Sequence, residues 1–180
     1  MTTLGMPFLL ADKTGCLDGS DFSDLFGRLS LRITRTQQNS QRNAYMVYKL
    51  NDPRTVVNHV NQPQASLDFG PNHALGTVSI GRGPHIQMSE YLKQTSLTNS
   101  LSRVFTASDG QNYRWSFRSC GEDEWTCVND RGYMIASYNL KVAGEPAYEG
   151  SSGCSLTIQE PYPHLAVGYY HVLHGWQLTP

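Results

Sequence analysis

Six cationic side chains, Arg28, Arg32, Arg35, Arg42, Lys49 and Arg54, stand against one carboxylate, Asp52, in the stretch from residue 28 to residue 54. A guanidinium group presents a rigid fork of donors that matches phosphate oxygens, so the cluster suits a phosphate-bearing ligand. Arg28 and Arg32 fall on the same face of an alternating segment, close enough to share one anionic group. Arg28, Arg32, Arg35, Lys49 and Arg54 are therefore the candidate ligand-binding residues, and a phosphoinositide or other anionic lipid headgroup is the expected ligand class. The competing reading is a solvated outer sheet face whose charge is balanced by the acidic stretch Asp12, Asp18, Asp21 and Asp24.

Other chemistries have weaker support. His171 and His174 are three apart on a candidate helix with His164 two turns earlier, but a metal site needs further ligands, and none is fixed by spacing. His59 and His73 lie in or near loops without a partner in sequence. No Gly-x-Ser-x-Gly elbow is present, and Gly150-Ser-Ser-Gly153 reads as a turn. Gly81-Arg-Gly83 lacks the rest of a phosphate loop, and Pro84 follows at once. Glu122, Asp123 and Glu124 are adjacent in a turn, whereas catalytic carboxylates converge from different elements. Tyr113-Arg-Trp-Ser-Phe-Arg118 interleaves aromatic and basic residues as a nucleic-acid surface does, yet a β core needs the same aromatics. Neither catalysis, a metal, another cofactor nor nucleic acid is expected.

The elements that position these residues are mostly strands. The chain has 180 residues, 39% hydrophobic and 16% charged, with ten Tyr, six Phe and three Trp. That suits one well-buried domain rich in pleated structure. Its formal net charge of −1 supplies no global field toward nucleic acid or anionic membrane. No apolar run reaches the ~20 residues a transmembrane helix requires. The first ten residues lack a basic start and a long apolar stretch, and no Asn-x-Ser/Thr sequon occurs, so a cytoplasmic location is expected. Cys16, Cys120, Cys127 and Cys154 have irregular spacing and are expected as buried thiols, with a Cys120–Cys127 approach left open.

Residues 1–27 read as an irregular N-terminal segment, and 28–180 as a single β domain. Leu29, Leu31 and Ile33 alternate with polar neighbours over 28–35, the period of a half-buried strand. A loop over 36–43 and a strand over 44–50 follow, then β-type runs at 55–60, 65–69 and 75–80. Residues 86–92 fit a strand or a short helix. Ser102–Phe117 reads as a hairpin about Asp109-Gly110, with Thr106 facing Tyr113 and Val104 facing Trp115. Strands over 124–128, 133–140 and 155–159 complete the set. Leu165, Tyr169, Val172, Leu173 and Trp176 then recur at helical spacing.

Asp109-Gly110, Tyr113-x-Trp115, Glu124-Trp-x-Cys127, Ala136-x-Tyr138, Leu156-x-Ile158 and His164-Leu-Ala166 together resemble an uncharacterised domain family of mushroom-forming fungi. Tyr48-Lys-Leu-x-x-Pro-Arg-Thr55 and Asn58-His-Val-Asn-Gln-Pro63 resemble an upstream part of a subset of it. That family is in turn similar to the tubby, phospholipid-scramblase and LURP-one-related group. The resemblance implies an antiparallel tubby-like β-barrel around a C-terminal helix. The chain departs from it at the end, where two glycines and two histidines replace a long aliphatic segment. The expected function is a non-catalytic intracellular module that binds an anionic lipid headgroup or a protein partner. The alternative is a small-molecule-binding protein or an enzyme with a histidine-containing pocket.

Overall fold

The computed structural model describes residues 5–12, 20–50, 63–71, 74–95, 101–118, 123–139 and 154–167. The first arm of the sheet contains β1 (Phe8–Asp12), β2 (Asp21–Asp24), β3 (Ser30–Asn39), β4 (Arg42–Leu50), β5 (Pro63–Phe69), β6 (Thr77–Ile80) and β7 (Ile86–Gln87). One helical turn, α1 (Met88–Tyr91), leads to the second arm. That arm contains β8 (Lys93–Gln94), β9 (Ser102–Thr106), β10 (Asn112–Phe117), β11 (Trp125–Asn129), β12 (Met134–Asn139) and β13 (Ser155–Ile158).

All neighbours are antiparallel and, with one exception, consecutive in sequence. The exception is β1, which pairs with β13 (Phe8 opposite Ile158) as well as with β2. Among the described residues one sheet of thirteen strands results, ordered from β7 through β1 and β13 to β8. Its inner face carries a single apolar core. Leu31, Ile33, Val47, Leu67, Phe69, Tyr113, Trp115, Leu156 and Ile158 are all buried in it. Period-two alternation explains the set, because every second residue of a pleated strand faces the same way.

Four expectations need correction. The segment before residue 28 is not irregular throughout, since β1 and β2 lie within it and join the two arms. The polar stretch 36–43 is mostly strand: β3 runs to Asn39 and β4 starts at Arg42, with a bulge between Arg35 and Gln37. Polar side chains are compatible with this because Thr36–Asn39 and Arg42 are exposed.

The third correction concerns the hairpin register. Tyr113 lies opposite Phe105 and Trp115 opposite Arg103, one residue from the expected pairing. The loop contains three residues rather than two. Gly110 N–H donates to Ala107 C=O (3.0 Å), Ala107 N–H donates to Gln111 C=O (2.9 Å), and Gly110 has φ 77°. This is a turn followed by a left-handed glycine, the usual three-residue solution. The added residue turns Phe105 inward, where its ring centroid lies 5.8 Å from that of Tyr113.

The fourth concerns closure. The strand ladder is not closed into a barrel, because β7 pairs only with β6 and β8 only with β9. Each edge strand has two residues, and the chain crosses between them as α1 instead of pairing them. Met88 and Leu92, at the two ends of this crossing, are buried in the core. Residues 165–167 are helical, and Leu165 and Ala166 join the core. The remainder of the expected C-terminal helix, and the β-type run at 55–60, lie outside the described residues.

Candidate functional site

The basic cluster is dispersed by the strands that carry it. Arg28 sits in the β2–β3 turn and folds onto Asp24: its Nε donates to Oδ2 (2.9 Å) and its Nη2 to Oδ1 (3.1 Å). Its remaining donors reach the carbonyls of Met6 (3.0 Å) and Pro7 (2.6 Å), and its guanidinium carbon lies 4.4 Å from the Phe8 ring centroid. Burial pushes the Asp24 carboxyl pKa up, but hydrogen bonds from Arg28 and from the Leu9 and Arg28 backbone N–H groups outweigh it and leave the pKa lowered.

Arg32 forms a two-pronged pair with Asp21, which lies opposite it on β2 (2.8 Å for both bonds). Arg35 lies opposite Tyr45 and is half-buried, on the other face of β3 from Arg32. Arg42 is held by Asp68 and Gln37. Lys49 continues the inward row Tyr45, Val47, Lys49 on β4 and is exposed at its end. Arg54 lies outside the described residues. The four described candidates thus do not converge on one point, and two of them, Arg28 and Arg32, have carboxylates in place.

What converges is one end of the sheet. Antiparallel order brings together the start of β1, the β2–β3 turn, the β9–β10 and β11–β12 turns and the segment after β13. This end carries Met6 (41% exposed), Leu25 (72%), Phe26 (45%), Tyr133 (67%) and Met134 (47%). The turns bearing Leu25, Phe26, Tyr133 and Met134 are set by Gly27 (φ 70°) and Gly132 (φ 78°), both left-handed. The starts of β12 and β1 are separated by one strand, β13, and so lie about 10 Å apart. Arg82 and Arg131 are exposed on turns of the same end, and Asp130 is exposed beside Arg131. The sequence contained a signal for these tips, apolar pairs beside turn glycines, but only the strand order shows that they share an end.

A model of the family of unknown function DUF6593 matches residues 30–168. The chain belongs to the DUF6593 family. No curated protein and no solved structure matches it. The matched span covers β3–β13, so β1 and β2, which link the two arms in this DUF6593 chain, precede it.

Near the same end, the DUF6593 chain gathers three polar side chains at the β9–β10 turn. Asp109 accepts from the Tyr113 hydroxyl (2.6 Å) and the Gln111 N–H (3.0 Å), and its Oδ2 lies 3.1 Å from His164 Nε2. Burial pushes the Asp109 pKa up, but these bonds outweigh it and leave it lowered; burial and the carboxylate push the Tyr113 hydroxyl up. A carboxylate–imidazole pair activates a nucleophile only within hydrogen-bond reach. Among the described residues no hydrogen bond joins Ser108 to His164, so the cluster anchors residues 162–167 to the hairpin. Among the described residues there is no group of three His, Cys, Asp or Glu placed to hold a metal ion. His59, His73, His171, His174, Cys16 and Cys120 lie outside them, while Cys127 and Cys154 are buried, with the Cys154 Sγ 3.8 Å from Asp12 Oδ2. No described helix is long and apolar enough to cross a membrane.

Proposed function

We propose that the chain is a non-catalytic intracellular module that docks on anionic lipid through the end of the sheet bearing Leu25, Phe26, Tyr133 and Met134. The observation that carries this reading is the exposure of large apolar side chains on separate turns of a single end. Isolated tips separated by polar backbone suit insertion among headgroups better than they suit a flat protein face. Arg131 adjoins the Tyr133 and Met134 tips and Arg82 lies on the β6–β7 turn of the same end, where each cation near an anionic surface is worth about 1 kcal/mol. Tyrosine at an interface keeps its ring in the apolar layer and its hydroxyl wet. The resemblance to an uncharacterised fungal domain family, itself similar to the tubby, phospholipid-scramblase and LURP-one-related group, supports the same reading as a likeness of pattern.

Flotation with phosphatidylserine- or phosphoinositide-containing liposomes tests it. Leu25→Ser/Phe26→Ser should lower the bound fraction at least about tenfold, since burying either side chain is worth about 1.5–3 kcal/mol. Arg82→Glu/Arg131→Glu should weaken binding and flatten its dependence on anionic lipid. Arg32→Gln should change little, because Asp21 already occupies that guanidinium. Flotation indifferent to both double substitutions would sink the proposal. Loss of a protein partner with the same substitutions, without lipid binding, would reassign the surface to protein.

A further inference from the structure

A cavity of about 480 Å³ opens at the same end, within the range of small-ligand sites. The ends of β3, β4, β5 and β6 form one side, and Ser108 with residues 163–167 forms the other. Leu29, Leu31 and Ala166 are buried at its floor, while Ile80 and Val167 are half-buried in its walls. An aliphatic chain is the natural occupant of such a surface.

Among the described residues one lysine belongs to this lining and no arginine. Lys49 lies opposite Leu31 and is third in the inward row after Tyr45 (4% exposed) and Val47 (fully buried). Lys49 ends that row at the rim, exposed to solvent, so its side chain carries a hydrated charge to the mouth of an otherwise apolar cavity. Among the described residues Lys49 has no ion pair, whereas Arg28, Arg32 and Arg42 each hold a carboxylate. Among the described residues the other polar lining groups are Gln64, Ser108 and His164, and none of the lining is a carboxylate. Asp109, which holds the lining residue His164, is itself occupied by Tyr113, Gln111 and His164.

We propose that this cavity binds a small amphipathic anion, an aliphatic chain ending in a carboxylate or phosphate. The chain lies over Leu29, Leu31 and Ala166, and the head meets the Lys49 ammonium with Ser108 and Gln64 as further hydrogen-bonding groups. The site goes beyond surface docking and does not depend on it, because a single dissolved molecule fills it. Lys49 was part of the basic cluster in the sequence, but its partner here is the cavity rather than the arginines.

The test uses the full chain, no membrane, and a dansyl-labelled undecanoate kept below its micelle concentration. Saturable one-to-one binding is expected, with displacement by decanoate or decyl phosphate. The ranking of these two identifies the head. Decanol should displace about tenfold more weakly, the scale of one charge-assisted hydrogen bond. Lys49→Gln should bring decanoate down to the decanol level, and Lys49→Arg should restore most of the difference. Val167→Trp should fill the cavity and block binding; if it fails to fold, the Lys49 series decides alone. Absence of saturable binding, equal affinity for decanol and decanoate, or full binding by Lys49→Gln would overturn the proposal. Loss of liposome flotation with decanoate binding intact overturns only the docking reading, and the reverse result overturns only the cavity.

Discussion

Asp24→Ala is expected to lower the unfolding free energy by about 3–5 kcal/mol, the scale for removing one partner of an enclosed ion pair. The Asp24 side chain is fully enclosed and that of Arg28 is only 18% exposed. Asp24 also accepts from the backbone N–H groups of Leu9 (2.9 Å), Phe26 (3.2 Å) and Arg28 (3.2 Å). Alanine removes every acceptor at once, leaving a guanidinium without its counter-charge and three donors unsatisfied. Asp24→Asn retains part of the acceptor set and should fall between alanine and the parent chain. Urea denaturation at neutral pH measures all three, and a change under about 1 kcal/mol for alanine would show that the pair does not anchor the fold.

The same pair predicts a pH dependence. The native carboxyl pKa lies below its ordinary value of 3.8. The stabilisation is therefore complete above the unfolded pKa and is lost as pH falls through the lowered native one. Asp21, lowered chiefly by its Arg32 hydrogen bond, and Asp109 contribute with the same sign. The parent chain should lose stability progressively below about pH 5, and Asp24→Asn should lose less over that interval.

Strand identity was readable where alternation was long. Leu29, Leu31 and Ile33 pointed inward as their spacing required, and the same rule applied to β4 gives Tyr45, Val47 and Lys49 one face. The inward lysine was therefore available from the sequence, but its positive charge grouped it with Arg28 and Arg32 instead. Arg28 shows why charge alone misleads, since nothing local says that its partners are Asp24 and two carbonyls from residues before β1. β2 has four residues, too few for a period, and its carboxylates acquire meaning only from the neighbouring strands. The Asp109-Gly110 dipeptide marked a turn but not its length, because a left-handed glycine serves two- and three-residue loops alike. Closure was unreadable for a related reason: two-residue strands such as β7 and β8 carry no alternation to count.

That unclosed seam depends on a glycine, and Gly76→Ala is expected to cost about 3 kcal/mol or more, at the upper end of overpacking effects. A Cβ at residue 76 would overlap the Asp68 carbonyl oxygen and stand 3.0 Å from its carbon, with the Phe69 Cα at 3.4 Å. All three are backbone atoms, so no side-chain rotation relieves the clash. Asp68 is also held by Arg42 and paired opposite Thr77, which resists displacement of β5. The Gly76 carbonyl accepts the Met88 N–H (2.8 Å), and the Met88 carbonyl accepts the Leu92 N–H (2.8 Å). Displacing Gly76 should therefore loosen α1, where the sheet has no strand pairing to hold it. Gly110→Ala gives the contrast: nothing lies within 4 Å of its Cβ, and only the left-handed backbone opposes it, at about 1–2 kcal/mol. Urea denaturation should rank Gly76→Ala as the more damaging, with faster amide exchange at Met88 and Leu92 specific to it. Equal costs, or exchange at α1 unchanged, would mean that α1 is held by its buried side chains rather than by the Gly76 carbonyl.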